Sequence, residues 1–211
     1  MPQQVTNDVI AANAVTATSV ATDAIITAKI QNDAVTTAKI LNANVTPAKL
    51  SQPFTAGTVQ ATTSGTEKDF AIPAWAKRIR VLLNGVSLSG TLQPRIRVGA
   101  ASTPATSGYN GAGSVSVTTT SAAATLSGGF DVYLNVAKAT GDIYYGAMEL
   151  SQVDATNNIW VASGVFSCSA GRTHVTAGSI TLAGALNIVR VMSTGAGTDA
   201  FDAGSVNVLY D

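Results

Sequence analysis

The 211 residues of this chain suffice for one good-sized core plus a smaller appendage. Lys plus Arg and Asp plus Glu balance at 12 each, so no net field draws the chain to nucleic acid or to an anionic membrane. Charged residues are 11% of the whole, against roughly a quarter in ordinary domains, and Cys168 is the single cysteine, which excludes an intrachain disulfide and a cysteine metal cluster.

The start, MPQQVTNDVI, carries neither a basic segment nor an apolar one, and so does not read as a secretory signal. No run approaches the roughly 20 apolar residues of a membrane span, and no membrane insertion is expected. From there to residue 50 a branched aliphatic stands at every fifth position: Val5, Ile10, Val15, Val20, Ile25, Ile30, Val35, Ile40, Val45 and Leu50. The units DAIITAKIQN (23–32), DAVTTAKILN (33–42) and ANVTPAKLSQ (43–52) align without gaps. Five residues turn an α-helix by about 500°, and five steps along a strand reverse the face, so neither regular structure keeps these residues on one side. A coiled coil needs apolar spacings of three and four and is excluded.

The backbone must therefore change conformation within each ten-residue unit. Thr follows the first aliphatic at Thr6, Thr16, Thr36 and Thr46, and Pro47 follows Thr46. Thr is a good N-cap and Pro is favoured at the first helical position, so T-x-A-K-[I/L] is predicted to form one short helical turn. Asn32, Asp33, Asn42 and Asn44 mark turns and extended links between units. One chain cannot bury so thin a stripe. Several copies around an axis can, with threefold symmetry the usual solution, the aliphatics inward and Lys29, Lys39, Lys49, Asp23 and Asp33 outward. Residues 1–52 are predicted to be a fibre shaft.

Pro53 ends the repeat, and residues 53–211 alternate in short runs punctuated by Gly, Ser, Asn and Thr. The predicted strands are 58–63, 78–86, 94–99, 114–119, 125–136, 143–153, 159–167, 179–182, 188–193 and 205–210. Ile79, Val81 and Leu83 share a face, as do Val206 and Val208, whereas Ile188 and Val191 do not, which predicts a strand covered on both sides. A turn is expected at 73–77, with further turns at Asn157-Asn158, Gly128-Gly129 and Thr140-Gly141. The fold class is mainly β: an antiparallel sandwich of jelly-roll type behind a repetitive shaft of helical turns and extended links.

The units DAVTTAKI and NVTPAKL resemble the decad repeats of bacteriophage fibre proteins. The segments GTEKDFAIPAWAKRIRVLLNGVS (65–87), NIWVASGVF (158–166) and TDAFDAGSVNVLYD (198–211) resemble a terminal β-sandwich found on such fibres. The resemblance implies a homotrimeric virion appendage, its N-terminal shaft held by another virion structural protein and its C-terminal head exposed. That implies a tail fibre whose head meets a host surface glycan or protein, or alternatively a capsid-attached head fibre or decoration protein.

The search for chemistry returns little. His174 is the only histidine, in the strand-like run RTHVT, and reads as an exposed or hydrogen-bonded strand residue. No G-x-S-x-G elbow and no phosphate loop is present, and neither a metal nor a cofactor is expected. A polysaccharide-cleaving tailspike would need two carboxylates about one sugar bond; Asp199 and Asp202, in GTDAFDAG, read instead as turn residues. The chain is not expected to be an enzyme. VGAASTPATSGYNGAGS (98–114) reads as a long polar loop, in which Tyr109 beside Asn110 could stack on a sugar. Trp75 and Trp160 are expected to fill the core or a subunit seam.

Overall fold

The alternating runs of the C-terminal region become strands, and the five-residue beat of the N-terminal region does not. A computed structural model describes residues 14–26, 29–40, 44–45, 49, 54–116, 121–132, 138–195 and 198–211. The chain divides into two units, Met1–Leu50 and Ser51–Asp211.

Among the described residues of the first unit, two kinds of tight turn alternate between Thr16 and Lys39. One is of 3-10 type, at Ala17–Ser19 and Thr37–Lys39, closed by backbone bonds from Ser19 N to Thr16 O (2.9 Å) and from Lys39 N to Thr36 O (2.9 Å). The same bond joins Lys29 N to Ile26 O (2.8 Å), where no hydroxyl precedes the turn, so backbone closure rather than a Thr cap defines it. The second turn is closed by Ala24 N to Ala21 O (3.1 Å) and Ala34 N to Gln31 O (3.0 Å), with Asp23 and Asp33 both at φ 62°. Asp tolerates that left-handed conformation because its short polar side chain bonds locally. The Lys of each unit does not simply point outward: Lys29 Nζ donates to Ala24 O at 3.0 Å, and Lys39 and Lys49 donate likewise to Ala34 O and Asn44 O. The predicted Thr46–Pro47 turn lies outside the described residues.

The second unit holds β1 (Thr55–Ala56), β2 (Gln60–Ala61), β3 (Glu67–Ala71), β4 (Arg78–Leu88), β5 (Pro94–Ala100), β6 (Thr103–Pro104), β7 (Tyr109–Ser116), β8 (Ser121–Thr125), β9 (Phe130–Asp131), β10 (Tyr144–Asp154), β11 (Ile159–Cys168), β12 (Arg172–Thr181), β13 (Leu186–Ser193) and β14 (Phe201–Tyr210). All pairings are antiparallel. The larger sheet runs β1-β14-β4-β10-β11-β12-β7-β8 with β2 on β14; the smaller runs β3-β13-β5-β6 with β9 on β5. The protein is thus mainly β, with two antiparallel sheets about one core.

Period-two patterning explains what fills that core. Ile79, Val81 and Leu83 of β4, Met148 and Leu150 of β10, Trp160 and Phe166 of β11, and Val206 and Val208 of β14 point inward from the larger sheet. Phe70, Ile96, Val98, Phe130, Val189 and Val191 meet them from the smaller one. Ile188 of β13 is buried although it faces away from the buried Val189 and Val191, as expected for a strand covered on both sides. Trp160 is fully buried, while Trp75 is half-buried against Tyr210, with ring centroids 5.6 Å apart.

The structure corrects several strand boundaries. EKDFA is the edge strand β3, held to β13 by Arg190, whose guanidinium reaches Glu67 and Asp69 at 2.6 Å each. The expected loop 98–114 is mostly strand: β5 continues to Ala100, turns at Ala101 and Ser102 (φ 50° and 58°) into β6, and β7 begins at Tyr109. Two consecutive positive φ values give the turn the twist of a tight hairpin. The predicted 179–182 strand is the end of a ten-residue β12 that begins at Arg172.

Candidate functional site

In the N-terminal unit the aliphatic frame lies open in a single chain. Val15, Ile25, Val35 and Val45 are 54 to 61% exposed, Ile30 and Ile40 are 43% and 42% exposed, and Val20 is half-buried. Val5, Ile10 and Leu50 lie outside the described residues. Branched aliphatics so exposed form a repeated apolar surface on this unit.

In the head, Tyr109 is not a ligand platform. It is only 4% exposed, its ring packs edge-on against Phe130 at 4.9 Å, and its hydroxyl accepts from Val98 N (3.0 Å) and lies 3.2 Å from both Val98 O and Ala105 O. Burial holds the phenol up at about 12, and it stays protonated as a donor inside the sandwich. The ring that was expected to stack on a sugar instead joins β7 to β5. Asn110 beside it is exposed, opposite Ser179 of β12.

His174 is likewise inside, fully buried between Phe166 of β11 and Val115 of β7, its ring 6.4 Å from that of Tyr144. Desolvation, with Arg172 adding to it, lowers its pKa to about 4, so the imidazole is neutral at ordinary pH. Cys168 is a free, buried strand residue.

The head's carboxylates are largely engaged. Asp131 holds Arg95 in a two-bond pair inside the smaller sheet's edge, and Asp211 holds Arg78 at 3.0 and 2.7 Å. Asp154 accepts from Thr156 N, Asn157 N and Asn157 Nδ2, bonds that hold its pKa down, and Asp199 accepts from Leu92 N at 2.6 Å. Asp142 accepts from Ala139 N and lies 3.7 Å from Arg172. Among the described residues no group of three His, Cys, Asp or Glu is placed to hold a metal ion.

Glu149 is different. It is exposed on β10, directly opposite Arg80 of β4, and among the described residues neither makes an ion pair. The two border an open trough of about 630 Å³ on the outer face of the larger sheet, floored by Gly146, Ala147 and Ser163 and walled by Leu82, Val165 and Val175. On their other side lies a second hollow of about 180 Å³, edged by Phe54, Leu209 and the Arg78–Asp211 pair. Phe54 is 65% exposed, Val165 57% and Val175 46%. Sequence reading places Arg80 outward by alternation, but it cannot supply the register that sets Glu149 beside it. Compared with known proteins, the chain matches no family model, no curated protein and no solved structure.

Proposed function

We propose that the chain is a homotrimeric structural protein of a bacteriophage virion, a fibre whose N-terminal decads form the shaft and whose β-sandwich is the distal head. The observation that carries this reading is the aliphatic at every fifth residue from Val15 to Val45, exposed at all but the half-buried Val20, on a backbone that repeats its turns every ten residues. A single chain gains nothing from that regularity. Copies around an axis bury it, at roughly 1.5–3 kcal/mol for each aliphatic fully covered.

The head is read as a jelly roll. β1-β14-β4-β10 and β3-β13-β5-β9 give two sets of four, with β14 between β1 and β4 and β13 between β3 and β5, while β11, β12, β7 and β8 widen the first. The head's function is contact with the host surface, and the shaft's is attachment to another virion protein, at the tail in the first reading and at the capsid in the second.

Sedimentation equilibrium and chemical crosslinking of the full chain test the assembly, with a trimer expected. Ile30→Asp with Ile40→Asp should abolish it while leaving a folded head by circular dichroism. A monomer at micromolar concentration, or a double variant that assembles as well as the parent, refutes the reading. Labelling the protein in virion images separates tail from capsid, and its absence from both would remove the virion assignment.

A further inference from the structure

We propose that the outer face of the larger sheet is where the head of a second copy of this chain packs. The inference rests on the assembly reading above, because copies joined through their N-terminal units hold their heads at millimolar effective concentration. Its own support is the chemistry of the face.

An antiparallel sheet with one wet side carries polar residues outward, and the outward positions here break that rule. Val161, Val165 and Val175 stand out from β11 and β12, with Leu82 on β4 and Leu209 on β14. Small residues at Gly146, Ala147 and Ala177 keep the ground between them low, which makes a trough rather than a bare ridge. Five adjacent strands at about 4.8 Å spacing carry this surface across roughly 20 Å. Ser163 interrupts the valines of β11, but apolar residues gathered onto one face from five strands mark an interface.

Charge identifies the occupant. In the middle of the apolar ground stand one cation and one anion, Arg80 and Glu149, in cross-strand register and without ion-pair partners among the described residues. A polyanion such as an acidic glycan or nucleic acid would meet Glu149 as well as Arg80, and a basic partner would meet the reverse conflict. Where three copies turn this face to a common axis, the Arg80 of each meets the Glu149 of the next, with apolar ground on either side. Desolvated in this way the charges are paired, which is the condition for burying them without a large penalty.

Thiol labelling of the full chain tests this. V165C reports on the trough, and T103C, on exposed β6 of the smaller sheet, reports on open surface; Cys168 is buried, and its background is measured on the parent chain. Mass is measured on the same samples by light scattering. The expected result is a multi-chain mass, with V165C labelled about tenfold or more slower than T103C, as for the dry centre of an interface. A multi-chain mass with both thiols labelled equally fast overturns the head-to-head contact and leaves the fibre reading standing. A single-chain mass overturns both, and protection of V165C at single-chain mass assigns the face to a different occupant. V175C replaces V165C should the latter fail to fold, with the same outcomes.

Discussion

Acidification should destabilise the head through His174, and the size of the effect follows from where the imidazole sits. It lies fully buried between Phe166 and Val115, its pKa lowered from 6.5 to about 4 by desolvation and then by Arg172, with Asp142 acting weakly in the other direction. Unfolding returns it to water. As pH falls below 6.5 the unfolded chain takes up the proton first, so the unfolded state binds more protons and stability falls with pH. The loss begins near 6.5, grows to about 4, and is constant below. The gap between those values, at about 1.4 kcal/mol per pH unit, amounts to about 3 kcal/mol, of which about 2 is already lost at pH 5. That is a large share of the 5–15 kcal/mol typical of a domain. Urea unfolding from pH 7.5 to 5, before most carboxylates titrate, measures it against His174→Gln and His174→Phe, which carry no proton in this range. The parent curve should fall by about 2 kcal/mol more than those of the variants. Parallel curves would refute the argument by showing that the imidazole is solvated when folded.

Gly204→Ala should cost several kcal/mol, because a Cβ there meets Gly85 O at 2.2 Å on a backbone with φ 92°, in a register shift of β14 against β4; thermal melting reads it. Asp131→Asn leaves Arg95 half-buried without its carboxylate and should cost about 3 kcal/mol in urea unfolding, whereas Asp211→Asn, opposite the exposed Arg78, should cost under about 1. Deleting residues 23–32, one whole decad, should leave assembly intact by sedimentation. Deleting 28–32, which keeps the five-residue spacing but sets a 3-10 turn where an Asp turn belongs, should weaken it; equal behaviour of the two deletions would show that only aliphatic spacing matters.

The inward faces of the long strands were legible because their aliphatics alternate without interruption, as in Ile79, Val81 and Leu83. Where glycine and alanine carry the strand, the pattern fails. β7 reads YNGAGSVS and looks like a loop, yet its glycines are what let it approach β12: a Cβ on Gly111 would meet Ala177 O at 2.3 Å, and one on Gly178 would meet Asn110 O at 2.6 Å. Once β7 is a strand, Tyr109 is its first inward residue, and the sugar platform expected there becomes a core contact. EKDFA was missed for a related reason, since an edge strand whose outward acids pair with Arg190 has little hydrophobic signal to give. The apolar outer face of the larger sheet was hidden because it gathers single residues from five strands, and only the register brings Arg80, Glu149, Val165 and Val175 together.

The N-terminal decads raise a different question: why the period is ten when the aliphatics recur every five. Two half-units with the same apolar residue need opposite backbone turns to bring it back to one side. One half uses the 3-10 turn, which any residue can form, as Ile26 shows; the other, in the units that begin at Asp23 and Asp33, uses a left-handed residue, a conformation that favours Asp, Asn or Gly. Asp23 and Asp33 therefore mark the phase. The Lys that follows six residues later reaches back five residues to a carbonyl the tight turns leave unpaired, as from Lys29 to Ala24. In the described units the tight turns and the Lys side chains thus bond locally, while the aliphatics are left outstanding. Locally closed turns with an apolar surplus are what allow such units to be stacked in number without changing what each asks of its neighbours, and they account for a sequence that repeats its aliphatics without a miss while varying the residues between them.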